Sequence, residues 1–244
     1  MFRNNVVAAL SLLTIFLSST ANAEFYFYPN ISMTQSTYKT TLTYDVLDES
    51  GFFSESKEQK YETEKHRDWL YGATVGLDNI FVSYNTNTSP EADVKDSKTG
   101  DIKREDWSLI VGVISHKGSW FAGYQTEKTN INNGSLEISQ PGYVLGLSGE
   151  NNIGKNGASF AYTTAASLLE PELVFGSKSA DNSSIDGSGF AFSIRLELGV
   201  NVIKYLRASV FGNVRYYMVS WDDEVYQESE TMSTVVGVKL ASRF

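Results

Sequence analysis

The 244-residue sequence has no cysteine, two histidines and four prolines. Without cysteine there is no disulfide framework, no thiol nucleophile and no thiolate metal site. Two histidines are too few for a His-rich metal centre. Bases are scarce as well: 20 Lys and Arg stand against 29 Asp and Glu, a formal charge of -9. Nucleic acid selects for concentrated Lys and Arg, so no nucleic-acid partner is expected. No cofactor is expected either. Past residue 23 no second uninterrupted apolar run follows, so no spanning helix is expected in the mature chain. Aromatics are plentiful at 13%, too many for a disordered chain.

Residues 1–23 read as a secretory signal peptide. Arg3 is the positive start, the run VVAALSLLTIFL (6–17) is the apolar stretch, and Ala21-Asn22-Ala23 is an A-x-A cleavage site. That leaves one domain, residues 24–244, beginning at Glu24.

Its dominant signal is period two. Trp69, Tyr71, Ala73, Val75 and Leu77 alternate with Leu70, Gly72, Thr74 and Gly76. Phe190, Phe192, Ile194, Leu196 and Leu198 alternate with Ala191, Ser193, Arg195 and Glu197, and Val236, Val238 and Leu240 with Gly237, Lys239 and Ala241. Successive side chains of a strand point to opposite faces, so each segment has one apolar face and one small or polar face.

The connections take turns in length. Asp78-Asn79, Lys117-Gly118, 151–156 and 200–203 are short; 45–68, 89–104, 129–140, 170–187 and 221–230 are long and polar. A barrel with short turns at one end and long loops at the other gives this alternation. Counting predicts an all-β fold: a closed antiparallel up-and-down transmembrane β-barrel of about ten strands, with eight as the alternative. The spans are 25–44, 69–77, 80–88, 105–116, 119–128, 142–150, 157–169, 188–199, 204–220 and 231–244.

A soluble β-sandwich also alternates. Three features favour lipid. The polar positions are often Gly, Ser, Thr and Ala, as in a narrow lumen. Trp69, Trp107, Trp120, Tyr124, Tyr143, Tyr205 and Tyr216 lie towards strand ends, where rings with a polar edge suit a membrane interface. The last strand, STVVGVKLASRF (233–244), ends on the aromatic Phe244.

On the leader, the alternating hairpins and this terminal strand, the chain resembles the small outer-membrane β-barrel proteins of Gram-negative bacteria. The resemblance is one of pattern and selects no family within them. It implies export to the outer membrane, contact with outer-membrane lipid and lipopolysaccharide, and recognition of the Phe244-ended strand by the barrel-assembly machinery. A monomer is expected.

The inward parity gathers Arg195, Glu197, Arg207, Arg215, Lys239 and Arg243 into a lumen charge network, with Glu197 close to Arg207 across a short turn. Two readings apply: a basic constriction favouring anions, or a packed network filling the lumen; the second is preferred. The inward glycines Gly72, Gly76, Gly112, Gly146 and Gly237 either leave space or ease strand bending. The acidic outer stretches either capture divalent cations that bridge to lipopolysaccharide or form a solvated, repulsive surface, and the solvated surface is preferred.

Hydrolase chemistry needs a positioned base, typically His beside a carboxylate. His116 adjoins the short Lys117-Gly118 turn, a poor place to attack an external substrate. His66 lies among Glu64, Lys65, Arg67 and Asp68 near an outer rim. The function expected is therefore non-enzymatic: a structural or surface-interaction barrel with long acidic extracellular loops. A narrow solute channel is the alternative, and an outer-membrane hydrolase a more distant one.

Overall fold

The computed structural model describes residues 24–47, 53–89, 92–93, 101–131, 135–153, 157–176 and 183–242. The expected signal peptide, Arg243 and Phe244 lie outside them. The described residues hold fourteen strand segments and no helix: β1 (Phe25–Leu47), β2 (Phe53–Glu62), β3 (His66–Leu77), β4 (Ile80–Thr88), β5 (Ala92–Asp93), β6 (Asp101–Ser115), β7 (Gly118–Ile131), β8 (Leu136–Ser139), β9 (Gly142–Ile153), β10 (Ala158–Leu169), β11 (Glu172–Phe175), β12 (Ser183–Ile203), β13 (Leu206–Trp221) and β14 (Tyr226–Ser242).

Ten of these form a closed antiparallel ring, β1-β3-β4-β6-β7-β9-β10-β12-β13-β14 and back to β1. Closure pairs Asn30 with Ala241 and continues up to Tyr44 with Tyr226. The eight-stranded alternative falls, because every hairpin read from the sequence takes a place in the ring. The stretch 25–44 becomes the longest strand, of 23 residues.

The long polar connections need correction. Much of their length is strand rather than loop. β2, β5, β8 and β11 continue β3, β4, β9 and β10 past a single break; β1, β6, β7 and β12 run on unbroken to pair with them, and β13 and β14 run on unbroken between β12 and β1. Two breaks fall at Gln140-Pro141 and Glu170-Pro171. Proline has no N–H for a ladder, but its carbonyl still serves. Pro141 O accepts from Glu170 N and Pro171 O from Gly187 N, both at 2.9 Å. The barrel thus continues as an overhang beyond the level of these breaks.

The other end is closed by tight turns. Asp78 holds φ 53, a left-handed conformation that Asp tolerates better than most residues. The turn expected at 200–203 is instead Lys204-Tyr205, because β12 keeps pairing until Ile203 meets Leu206.

Between the two ends the outer face is apolar. Leu196, Leu198, Val210, Val236, Val238 and Leu240 are each about half-exposed on it. An apolar band of this extent is not left facing water. Aromatics border it. Trp107 and Tyr124 have ring centroids 5.7 Å apart, and Tyr124 and Tyr143 5.5 Å, on the overhang side. Trp120 and Tyr205 stand exposed beside the short turns. On β3 the band runs from Trp69 to Leu77, so His66 lies outside it.

Candidate functional site: the filled lumen

The inward positions of two neighbouring strands show how the lumen is layered. On β6 they read Ile102, Arg104, Asp106, Ser108, Ile110 and Gly112; on β7, from the same end, Ile131, Thr129, Glu127, Gln125, Gly123 and Phe121. An apolar level comes first, then a charged one, then a level where rings and glycines alternate.

The apolar level fills the overhang. Tyr38, Leu42, Ile102, Ile131, Ile138, Leu173, Tyr217 and Val219 are essentially inaccessible and pack with Trp221 and Leu136 into one core. At roughly 1.5–3 kcal/mol per fully buried large side chain, this core is a major stabilising element.

The charged level lies beneath it. Arg104 Nη2 stands 2.5 Å from Glu127 Oε1, with both side chains at most 6% exposed. Arg104 Nη1 also donates to Ser233 Oγ at 2.8 Å, and its guanidinium lies 4.7 Å from the centroid of the Tyr38 ring. Tyr217 Oη donates to the other Glu127 oxygen at 2.5 Å. Arg215 lies 3.8 Å from both Asp106 and Glu127. To one side, Asp68 is buried; it accepts from Ser89 Oγ at 2.5 Å and faces His66 Nε2 at 3.4 Å. His66 Nδ1 is 3.2 Å from the Glu64 carbonyl. Burial disfavours protonated His66. The hydrogen bond and charge of Asp68, helped by the Glu64 carbonyl, outweigh that and hold its pKa above the ordinary 6.5.

The third level shows what fills the space beside three of the inward glycines. Tyr26, Phe81 and Phe121 occupy the space a Cβ would take at Gly76, Gly112 and Gly146. Gly112 and Phe81 are direct cross-strand partners, as are Gly146 and Phe121. At these three glycines rings fill the room; at Gly72 it is taken by Asn85 and Asn30, and at Gly237 by Thr34 and the Met33 carbonyl.

Nearest the short turns lie the remaining charges. Glu197 is 8% exposed. It accepts from Lys239 Nζ at 2.8 Å, Arg195 Nη2 at 3.0 Å and Ser209 Oγ at 2.7 Å. Arg195 stacks 3.7 Å from the centroid of the Phe211 ring. Arg207, expected beside Glu197, pairs instead with Glu150 and donates to Ser159 Oγ at 2.6 Å. The longer β12 sets Arg207 opposite Asn201, and Glu197 opposite Phe211.

The six residues grouped from the sequence therefore divide. Arg195, Glu197 and Lys239 meet; Arg207 joins Glu150; Arg215 belongs to the charged level above; Arg243 lies outside the described residues. Sequence reasoning missed Glu150, which has the inward parity of Gly146 and Ser148. It also missed Arg104, Asp106 and Glu127 as lumen residues.

No protein-family model matches the sequence, and no curated protein does. Solved structures do. The outer membrane protease OmpT of Escherichia coli superposes with a TM-score of 0.65 at 11% identity, over 93% of this chain and 100% of that one. Neisserial surface protein A gives 0.41 at 8% identity, over 91% of this chain and 99% of that one. OprG of Pseudomonas aeruginosa gives 0.41 at 9% identity, over 91% and 97%. At such identities the likeness is one of fold. With ten antiparallel strands closed into a ring, an apolar outer belt and short turns at one end, the chain has the fold of the outer-membrane β-barrel superfamily.

Proposed function

We propose that this protein is a monomeric, non-enzymatic barrel of the Gram-negative outer membrane that acts as a surface-interaction or structural protein. It is exported by a cleaved leader and inserted through its C-terminal strand, and its outer belt contacts lipid and lipopolysaccharide. The observation that carries the reading is the filled lumen. The apolar overhang core, the charged level and the ring-and-glycine level follow one another across the bore. Conduction requires a continuous wet path, and these levels supply side chains where water would have to stand.

OmpT, which shares the fold, is a protease by name, and that is a property of OmpT. Among the described residues the His beside a carboxylate is His66, with Nδ1 against the Glu64 carbonyl and Nε2 3.4 Å from Asp68. In its protonated form, which Asp68 favours, the ring donates at both nitrogens and has no lone pair with which to accept a proton. With the upper and middle levels of the lumen filled, the side chains open to solvent are those of the outer surface and of the lumen end beside the short turns.

The test is conductance. Refolded protein in a planar bilayer is expected to show no discrete current steps under applied voltage. Steady, reproducible steps would favour the narrow-channel alternative.

A further inference from the structure

Below the ring-and-glycine level the lumen opens into a cavity of ≈ 900 Å³, a size typical of small-molecule sites. Phe81 borders it above. At its mouth stand Lys117 of the β6–β7 turn and Lys204 of the β12–β13 turn. The charged side chains that line it are Lys117, Lys204, Arg207, Lys239, Glu150 and Glu197. Four bases face two acids, in a chain whose formal charge is -9. The excess positive charge of this cavity therefore runs against the sign of the whole molecule.

Both acids are already engaged. Glu150 is held by Arg207, and Glu197 by Lys239 and by Arg195 behind it. Lys117 and Lys204 have no carboxylate partner among the described residues; Lys204 lies only over the Tyr205 ring, 5.1 Å from its centroid. Arg207 is built in. Its guanidinium rests against Gly199, where a Cβ would collide with it, and its Nε is buried without a hydrogen-bond partner. The guanidinium and ammonium groups lining this one pocket concentrate positive potential there, because low-dielectric walls focus the field. Arg207 Nη1 and Nη2 are held by Glu150 and Ser159, so its Nε, Lys117 and Lys204 are the groups left for an oxyanion, which Arg and flanking Lys recognise.

We propose that this cavity is a binding site for a small polyvalent anion bearing phosphate or carboxylate groups, taken up from the periplasmic side. The proposal rests on the filled lumen argued above, since a bore open at both ends would not concentrate charge in this way.

The experiment is calorimetric titration of the full refolded barrel in neutral detergent. Pyrophosphate and citrate are titrated in separate arms, with spermidine as a polyvalent cation control. Saturable binding is expected for pyrophosphate or citrate, and the arm that binds identifies the group recognised; spermidine should not bind. The exposed turn variant Lys117→Gln/Lys204→Gln, whose fold is checked by heat-shifted migration, should weaken binding about threefold to tenfold. Arg207→Gln should weaken it at least tenfold. No saturable binding of either anion, equal binding of spermidine, or unchanged affinity in the turn variant would each overturn the proposal. Conductance of the same preparation keeps the two readings apart. A barrel that conducts yet binds the anion tells against the filled lumen alone; one that neither conducts nor binds tells against this site alone.

Discussion

Arg104 of β6 and Glu127 of β7 form an ion pair of 2.5 Å in the middle of the lumen, beneath an apolar core and above a layer of rings. Neither group reaches water, and each has a second polar partner, Ser233 for the arginine and Tyr217 for the glutamate. A buried pair is costly to break from one side, because the surviving charge is left in a poor dielectric. Glu127→Gln should destabilise the barrel by about 3–5 kcal/mol. Glu228→Gln, on the exposed outer face of β14, should change stability by less than about 1 kcal/mol. Urea unfolding of the two variants in lipid vesicles, followed by tryptophan emission, makes the comparison; equal midpoints would show that water reaches the charged level.

His66 gives the barrel a pH signature. Its pKa is raised in the fold above 6.5, by Asp68 against the opposing effect of burial. A raised folded value means that the protonated ring stabilises the native state. That contribution is complete below about 6.5, the unfolded value, and disappears as pH rises through the higher folded value. The unfolding midpoint of the wild type should therefore fall relative to His66→Gln as pH rises above about 6.5. Parallel pH curves for the two proteins would show that the His66–Asp68 pair is not coupled to folding.

The ring-and-glycine layer makes a steric forecast. A Cβ at Gly112 would run into the Phe81 ring and the Trp120 carbonyl, whereas one at Gly212 meets nothing within 4 Å. Gly112→Val should cost about 1–3 kcal/mol through overpacking. Gly212→Ala should be neutral or slightly stabilising, since Gly weakens a strand interior. Unfolding midpoints that move together would remove the distinction between the inward and outward positions.

Orientation is tested by labelling. A cysteine placed at Lys117, in a short turn, should resist a membrane-impermeant thiol reagent in intact cells, whereas one at Asp223, in the β13–β14 turn of the overhang, should react. The chain has no native cysteine to confuse the result. The opposite pattern would invert the topology.

The strands of the belt were legible because lipid imposes a strict rule. Leu196 and Leu198 must be apolar, so Glu197 between them announces its inward face. The overhang was not legible, because that rule lapses above the membrane. There the outward face meets water, and Lys103, Glu105, Lys128 and Glu137 make two surface ion pairs. Set between Ile102 and Trp107, the run Lys103-Arg104-Glu105-Asp106 looks like a charged loop. In the fold, every second residue of it points into the core. Arg207 was misplaced for a different reason. Pairing partners follow from where a turn falls, and moving that turn to Lys204-Tyr205 carried Arg207 away from Glu197 and left it free to meet Glu150 on β9.

Strand length has a consequence for reach. At about 3.3 Å per residue and a tilt of roughly 45°, a strand of β1's 23 residues rises about 50 Å. The apolar band of an outer-membrane barrel is about 25 Å tall, so close to half of the molecule stands clear of the hydrocarbon as a stiff, hydrogen-bonded stalk. What it displays at its tip is thereby held at a fixed height above the hydrocarbon, where loops of the same length would lie folded down at the interface.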